Sequence, residues 1–219
     1  MAIHIKSGSR LNGYTLLADM ANADAGTSMW AFAEKNGREF FIKCFLSPTY
    51  PSEGSPGSAK SKEHRRARCR RFEAHTRGVE KALAKCGDQA FLVRSVDFFR
   101  REGTYFKVTE KIGSQKINVT GLPPNKQLLI MLTAAYGVRS LHHRTSLVHA
   151  DLKPENILLH RNGSRYLASL IDFDAAFFDH TLPEKESLTG DPRYWPPELI
   201  SYLNGNAANG LSQKVDLFC

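Results

Sequence analysis

Cysteine is scarce in this chain, and Cys44, Cys69, Cys86 and Cys219 are scattered without metal-ligand spacing. Such residues read as reduced thiols of a cytoplasmic protein and argue against a cysteine-built metal centre. No run of eighteen apolar residues occurs, so no membrane span is expected. The opening Met1-Ala2-Ile3-His4-Ile5-Lys6 lacks the apolar stretch and cleavage site of a secretory leader. Internal repeats are missing too, and low complexity is confined to a Ser/Pro/Gly-rich insertion at 47–62. What remains is ample for a core: 219 residues, 42% hydrophobic, in one domain or two small ones.

Positive charge is in excess, with a formal net of +8, much of it in Lys60-Ser61-Lys62-Glu63-His64-Arg65-Arg66-Ala67-Arg68-Cys69-Arg70-Arg71. Such a run suits an anionic partner. It suits equally a solvated loop entering a helix. No aromatic residue interleaves with the basic ones, which argues against a nucleic-acid surface.

Strand signals dominate the first forty-five residues. Tyr14-Thr15-Leu16-Leu17, Met29-Trp30-Ala31-Phe32-Ala33 and Phe40-Phe41-Ile42-Lys43-Cys44-Phe45 are apolar, aromatic and β-branched, and Asn36-Gly37 marks a hairpin between the last two. Helical spacing follows at 71–85, with Phe72, Val79 and Leu83 toward one side. Two further strands are expected at 91–99 and 104–109, turning at Arg101-Glu102-Gly103. Strands, one helix and two more strands describe a small α+β unit. A long helix is expected at about 126–143, after the break Gly121-Leu122-Pro123-Pro124-Asn125, and a hairpin turns at Arg161-Asn162-Gly163-Ser164.

The most informative run is Val148-His149-Ala150-Asp151-Leu152-Lys153-Pro154-Glu155-Asn156-Ile157-Leu158-Leu159. It spaces an acid, a base and an amide as D-x-K-x-x-N. Phosphoryl transfer uses such groups together: an Asp to accept the substrate hydroxyl proton, a Lys to steady charge on the moving group, an Asn to hold magnesium. A lone D-x-x-x-x-N would be read as turn chemistry, and His149 as a satisfied core histidine. The full string, with Lys153-Pro154-Glu155 inside it, resembles the catalytic loop of eukaryotic-type Ser/Thr protein kinases.

That resemblance covers about residues 11–219 and implies a bilobal α+β protein kinase-like fold. Residues 1–112 would form a β-rich N-terminal lobe with one main helix, and 113–219 a truncated helical C-terminal lobe. It further implies ATP- and magnesium-dependent phosphoryl transfer to Ser or Thr of protein substrates. Asp151 would be the base, Lys153 and Lys43 would stabilise phosphate charge, and Asn156 and Asp172 would hold magnesium. Lys43 ends Phe40-Phe41-Ile42 where the family has its V-A-I-K lysine. Its partner would be Glu80, with Glu73 as the alternative. The position four residues on should be small or apolar; it is Ala84 for Glu80 and Arg77 for Glu73. Thr109, Glu110 and Ile112 fall at the gatekeeper and hinge. Asp172-Phe173-Asp174 stands at D-F-G, and Gly190-Asp191-Pro192-Arg193-Tyr194-Trp195-Pro196-Pro197-Glu198 resembles the peptide shelf G-T-P-x-Y-x-x-P-E. Val215-Asp216-Leu217-Phe218 resembles the start of a helix whose Asp braces the catalytic loop.

Departures from the pattern carry their own expectations. The phosphate-covering glycines fall on Ala23, Ala25 and Ser28, with Gly26 displaced. Phe41 replaces a small residue that packs on adenine. Ala150 replaces the Arg of H-R-D, so no phosphate clamp is expected there. Asp174 replaces a flexible Gly, and is expected to fit left-handed geometry less well. Asp191 replaces a Thr, and a second acid beside Asp151 is expected to raise a carboxylate pKa and compete for Lys153. The chain stops inside the expected next helix, which predicts a fragment, or a chain completed by a partner, with Leu199, Ile200, Leu217 and Phe218 exposed. A pseudokinase serving as a binding or scaffold module is the alternative, and a small-molecule phosphotransferase a third reading.

Overall fold

The computed structural model describes residues 5–22, 28–87, 91–113, 117–185, 188, 190–206 and 211–219. The fold is α+β and divides into two compact units, Met1–Thr76 with Ser95–Lys111, and Arg77–Arg94 with Ile112–Cys219. The second unit thus takes residues 77–94, which a division at 112 assigns to the first. The reason is packing: Val79, Leu83, Cys86 and Leu92 are buried in the second unit's core.

In the first unit, β1 (Arg10–Leu11), β2 (Tyr14–Leu16), β3 (Ser28–Lys35), β4 (Arg38–Phe45), β5 (Ser95–Arg101) and β6 (Thr104–Glu110) form one antiparallel sheet in the order β1-β2-β3-β4-β6-β5. Asn36 and Gly37 join β3 to β4 with φ of 55° and 73°, the left-handed geometry of a two-residue hairpin. Strict alternation sends Ala31, Ala33, Phe40, Ile42, Cys44, Phe106 and Val108 into the core. It sends Trp30, Phe32, Phe41, Lys43, Lys107 and Thr109 to the opposite face.

Helix α1 spans Ala59–Leu83, so the helix expected from residue 71 starts twelve residues earlier. Its first half has no apolar period to announce it, yet Ala, Lys and Arg are strong helix formers. Cys69 and Phe72 dock it on Phe45, Phe98 and Tyr105. The loop before it is pinned at Tyr50, whose N–H donates to the Gly103 carbonyl at 2.7 Å. A Cβ on Gly103 would stand 2.5 Å from the Tyr50 carbonyl oxygen, and its φ is +83°. Phe91-Leu92-Val93-Arg94, expected to open β5, instead leaves that sheet. Leu92 bridges Leu170, and the Val93 N–H donates to the Leu170 carbonyl at 2.9 Å.

The second unit is built on α2 (Pro124–Thr145), begun by Pro123-Pro124 and ended by left-handed Ser146. Ile130, Gly137 and Leu141 are its buried side, while Leu128, Met131, Leu132 and Tyr136 are exposed. Two short antiparallel pairs follow: β7 (Leu147–Val148) with β10 (Phe177–Phe178), and β8 (Ile157–Asn162) with β9 (Arg165–Leu170). Helices α3 (Pro197–Leu203) and α4 (Val215–Phe218) close the described chain. Ile200, Leu217 and Phe218 are exposed as expected, but Leu199 is buried against Val148 and Phe177.

Candidate active site

Buried β7 delivers the chain to His149, which has no exposed surface. Its Nε2 donates to the Ile171 carbonyl at 2.9 Å, and its ring lies 4.9 Å from that of Phe173. The next residue, Ala150, has φ of +64°. A non-glycine residue there is strained by about 1–3 kcal/mol unless its surroundings hold it. The holder is Asp216, whose buried carboxylate accepts from the His149 N–H at 2.7 Å and the Ala150 N–H at 2.9 Å. His142 donates to the same carboxylate at 2.8 Å. The expected brace of the loop by Asp216 is therefore present. His142 was not singled out in the sequence, where it is one of two adjacent histidines at a helix end.

This strained turn presents Asp151. Its Oδ2 receives the Lys153 ammonium at 3.0 Å and the Asn156 amide at 2.9 Å. The same Asn156 nitrogen donates to the Asp151 carbonyl at 2.8 Å. The D-x-K-x-x-N spacing closes because Pro154–Asn156 is one turn of 3₁₀ helix, which folds Asn156 back over the Asp. Asn156 spends its amide nitrogen inward, leaving Oδ1 as an oxygen donor. Its carbonyl accepts from the Ile171 N–H at 3.0 Å, which sets Asp172 next to it in the fold. Asp172 is left-handed (φ +61°) and heads the turn Phe173–Ala175. Asp174 lies inside that turn with negative φ, so the strain expected of an Asp at this place falls on Asp172.

Among the described residues no three His, Cys, Asp or Glu side chains cluster as a metal site. An amide oxygen and a carboxylate are the hard donors magnesium prefers, and magnesium commonly takes one or two carboxylates plus substrate phosphates. Asn156 and Asp172 fit that requirement.

Asp191 enters from the other side. Its N–H donates to Asp151 Oδ1 at 3.3 Å. A Cβ on Gly190 would stand 3.0 Å from that same oxygen and 2.8 Å from Trp195 Nε1, so this approach requires glycine. The expected rise in pKa is reversed for Asp191. Hydrogen bonds from the Arg193 side chain and backbone hold its carboxyl down to about 2, helped by the charge of Lys153.

In the first unit, Lys43 lies half-buried on the non-core face of the sheet, opposite Trp30 on β3 and the buried Lys107 on β6. Phe41, two residues back on the same face, stacks on Trp30 with centroids 5.4 Å apart and meets Phe32 at 6.1 Å. Thr109 is directly opposite Phe41. Glu110 pairs with Arg38 at 2.5 Å, and Ser28 is buried. Ile112 begins the longer segment of the second unit. Ala23, Ala25 and Gly26 lie outside the described residues, as do Ser187 and Thr189 of the loop before Gly190.

The two glutamates differ in their surroundings. Glu73 Oε1 accepts from Tyr105 Oη at 2.6 Å and from Arg100 at 3.2 Å. Burial, then this bond, push the Tyr105 hydroxyl far above the usual phenol range. Glu73 is thus engaged within the first unit's own packing, while Glu80 is carried on the last part of α1, in the second unit.

Comparison with known proteins agrees with this geometry. The family model described as "Protein kinase domain" matches residues 59–219. The chain belongs to the protein kinase family. The serine/threonine-protein kinase dkf-1 of Caenorhabditis elegans is 26% identical over 218 residues, covering 94% of this chain and 27% of that protein. The cGMP-dependent protein kinase of Plasmodium berghei (strain Anka) is 31% identical over 126 residues, covering 56% of this chain and 14% of its own. The phosphorylase b kinase gamma catalytic chain, liver/testis isoform, of Bos taurus is 28% identical over 131 residues, covering 59% and 29%. This kinase chain spans about a quarter of the length of the first relatives it matches, 27% and 25%.

Proposed function

We propose that this kinase domain transfers the γ-phosphoryl group of ATP, with magnesium, to Ser or Thr hydroxyls of protein substrates. The observation that carries the proposal is the Asp151 carboxylate held at once by Lys153 and Asn156 on a loop pinned by Asp216. Asp151 takes the proton of the attacking hydroxyl. Lys153, 3.0 Å from Asp151, offers its charge to the phosphoryl oxygens as they pass. Bound ATP would supply the phosphoryl group, and magnesium held by Asn156 and Asp172 would offset its charge. Lys43 is the cation suited to the remaining phosphates, with Glu80 its expected partner. Positioning and electrostatics supply most of the rate in such a site. Lys153, and the shelf from Gly190 to Glu198, favour Ser/Thr peptides over small molecules. A reducing, cytoplasmic setting suits the free Cys44, Cys69 and Cys86.

One observation favours a second reading, in which the domain binds partners without transferring phosphate. Phe41, where the family has a small residue packing on adenine, is stacked on Trp30 with centroids 5.4 Å apart. Thermal melting with ATP and magnesium separates the two. A shift, together with phosphate transfer that Asp151→Asn lowers at least about 100-fold, supports the enzyme. No shift and no transfer support the binding module.

A further inference from the structure

Asp191 brings a second acid to the catalytic one, its N–H 3.3 Å from Asp151 Oδ1, and the single charge of Lys153 acts on both. At equal distance the two acids attract it equally, so prior occupancy decides where it goes. Arg193 provides that occupancy. Its Nε reaches Asp191 Oδ1 and Oδ2, each at 3.0 Å, and its Nη2 reaches Oδ2 at 2.5 Å. Its backbone N–H adds a bond to Oδ1 at 3.0 Å. Three N–H groups of Arg193, one of them shared between the two oxygens, thus occupy both oxygens of the Asp191 carboxylate. Lys153 is left on Asp151 Oδ2.

We propose that Arg193 is a positioning residue for phosphoryl transfer: by filling the Asp191 carboxylate it keeps Lys153 on Asp151. The pair replaces a hydroxyl residue with an acid and its private counter-ion. It acts across a short path, since Asp191 also donates its N–H to Asp151 and Gly190 leaves room for that approach. Arg193 does little packing, with 77% of its side chain exposed, so its removal opens no cavity. Besides Asp151, the charges acting on the pair include Lys153, which draws on Asp191, and Glu155, which draws on Arg193.

The inference rests on the transfer reading for its consequence, but its geometry is tested without turnover. Crystal structures of R193A and R193A/D191N locate Lys153. The expected result is that Lys153 turns to Asp191 in the single variant and returns to Asp151 in the double one. Peptide phosphorylation should show kcat of R193A reduced about 10- to 100-fold with KM for ATP unchanged. D191N in that background should restore most of the loss, and R193K should retain most of the parent rate. Lys153 remaining on Asp151 in R193A overturns the proposal, as does a loss that D191N fails to restore. A parent chain without any transfer counts against the proposed function, and the Lys153 position still decides the placement.

Discussion

At the scale of single residues, this site depends on three places where the backbone is forced. Ala150 and Asp172 are left-handed without being glycine, and at Gly190 a Cβ would strike Trp195 Nε1 and crowd Asp151. The first is held by Asp216. Replacing Asp216 with Ala leaves two buried N–H groups and His142 without their shared acceptor. Loss of such a buried charged partner should cost about 3–5 kcal/mol, read as a fall in denaturant midpoint, with activity lost as well. Gly190→Ala is expected to lower turnover and, because its Cβ displaces the packed Trp195 ring, to lower the melting temperature as well. That Asp151, Lys153 and Asn156 come together was legible in the sequence because all three sit on one local turn. The contact of Arg193 with Asp191 was not: a residue two positions from an acid looks like ordinary surface charge. Only the 3₁₀ turn Pro192–Tyr194 folds its side chain back onto Asp191.

At the scale of elements, α1 and the sheet are joined by polar as well as apolar contacts. Tyr105 on β6 donates to Glu73 on α1, and Arg100 on β5 completes the group while lying 3.8 Å over the Tyr50 ring. Tyr105→Phe should destabilise the chain by about 1.5–3 kcal/mol, since a hydrogen bond to a charged acceptor is lost. The segment from Gly190 to Glu198 carries a pH signature. Arg193 holds Asp191 near 2, below its ordinary value, so the pair stabilises the folded chain above about pH 4. That contribution disappears as pH falls from about 4 through 2, and R193A should flatten the acid limb of the stability curve. Hairpins β3–β4 and β8–β9 were readable because their turn residues, Asn36-Gly37 and Gly163-Ser164, are chemically distinctive. The start of α1 was hidden because basic residues have no apolar period. The fate of Phe91-Leu92-Val93-Arg94 was hidden because an apolar run names no partner.

At the scale of the whole chain, the candidate site residues fall in both units. The second holds Asp151, Lys153, Asn156 and Asp172, and the first holds Lys43 on a face made unusually aromatic by Trp30, Phe32 and Phe41. Composition foretold one sizeable core or two; only the contacts show which segments belong to each. Among the described residues no helix is long and apolar enough to cross a membrane. Phe41→Ala is expected to tighten ATP binding in the kinase, measured by calorimetry. Unchanged affinity would mean that the ring already lies clear of the base. The most direct measurement is transfer of labelled γ-phosphate from magnesium-ATP to Ser/Thr peptides by the parent chain and by Asp151→Asn, with nucleotide binding measured on both. Transfer by the parent alone, with binding kept in both, is the predicted result. Equal transfer by the two chains, or none by a parent that binds nucleotide, would contradict the role assigned to Asp151.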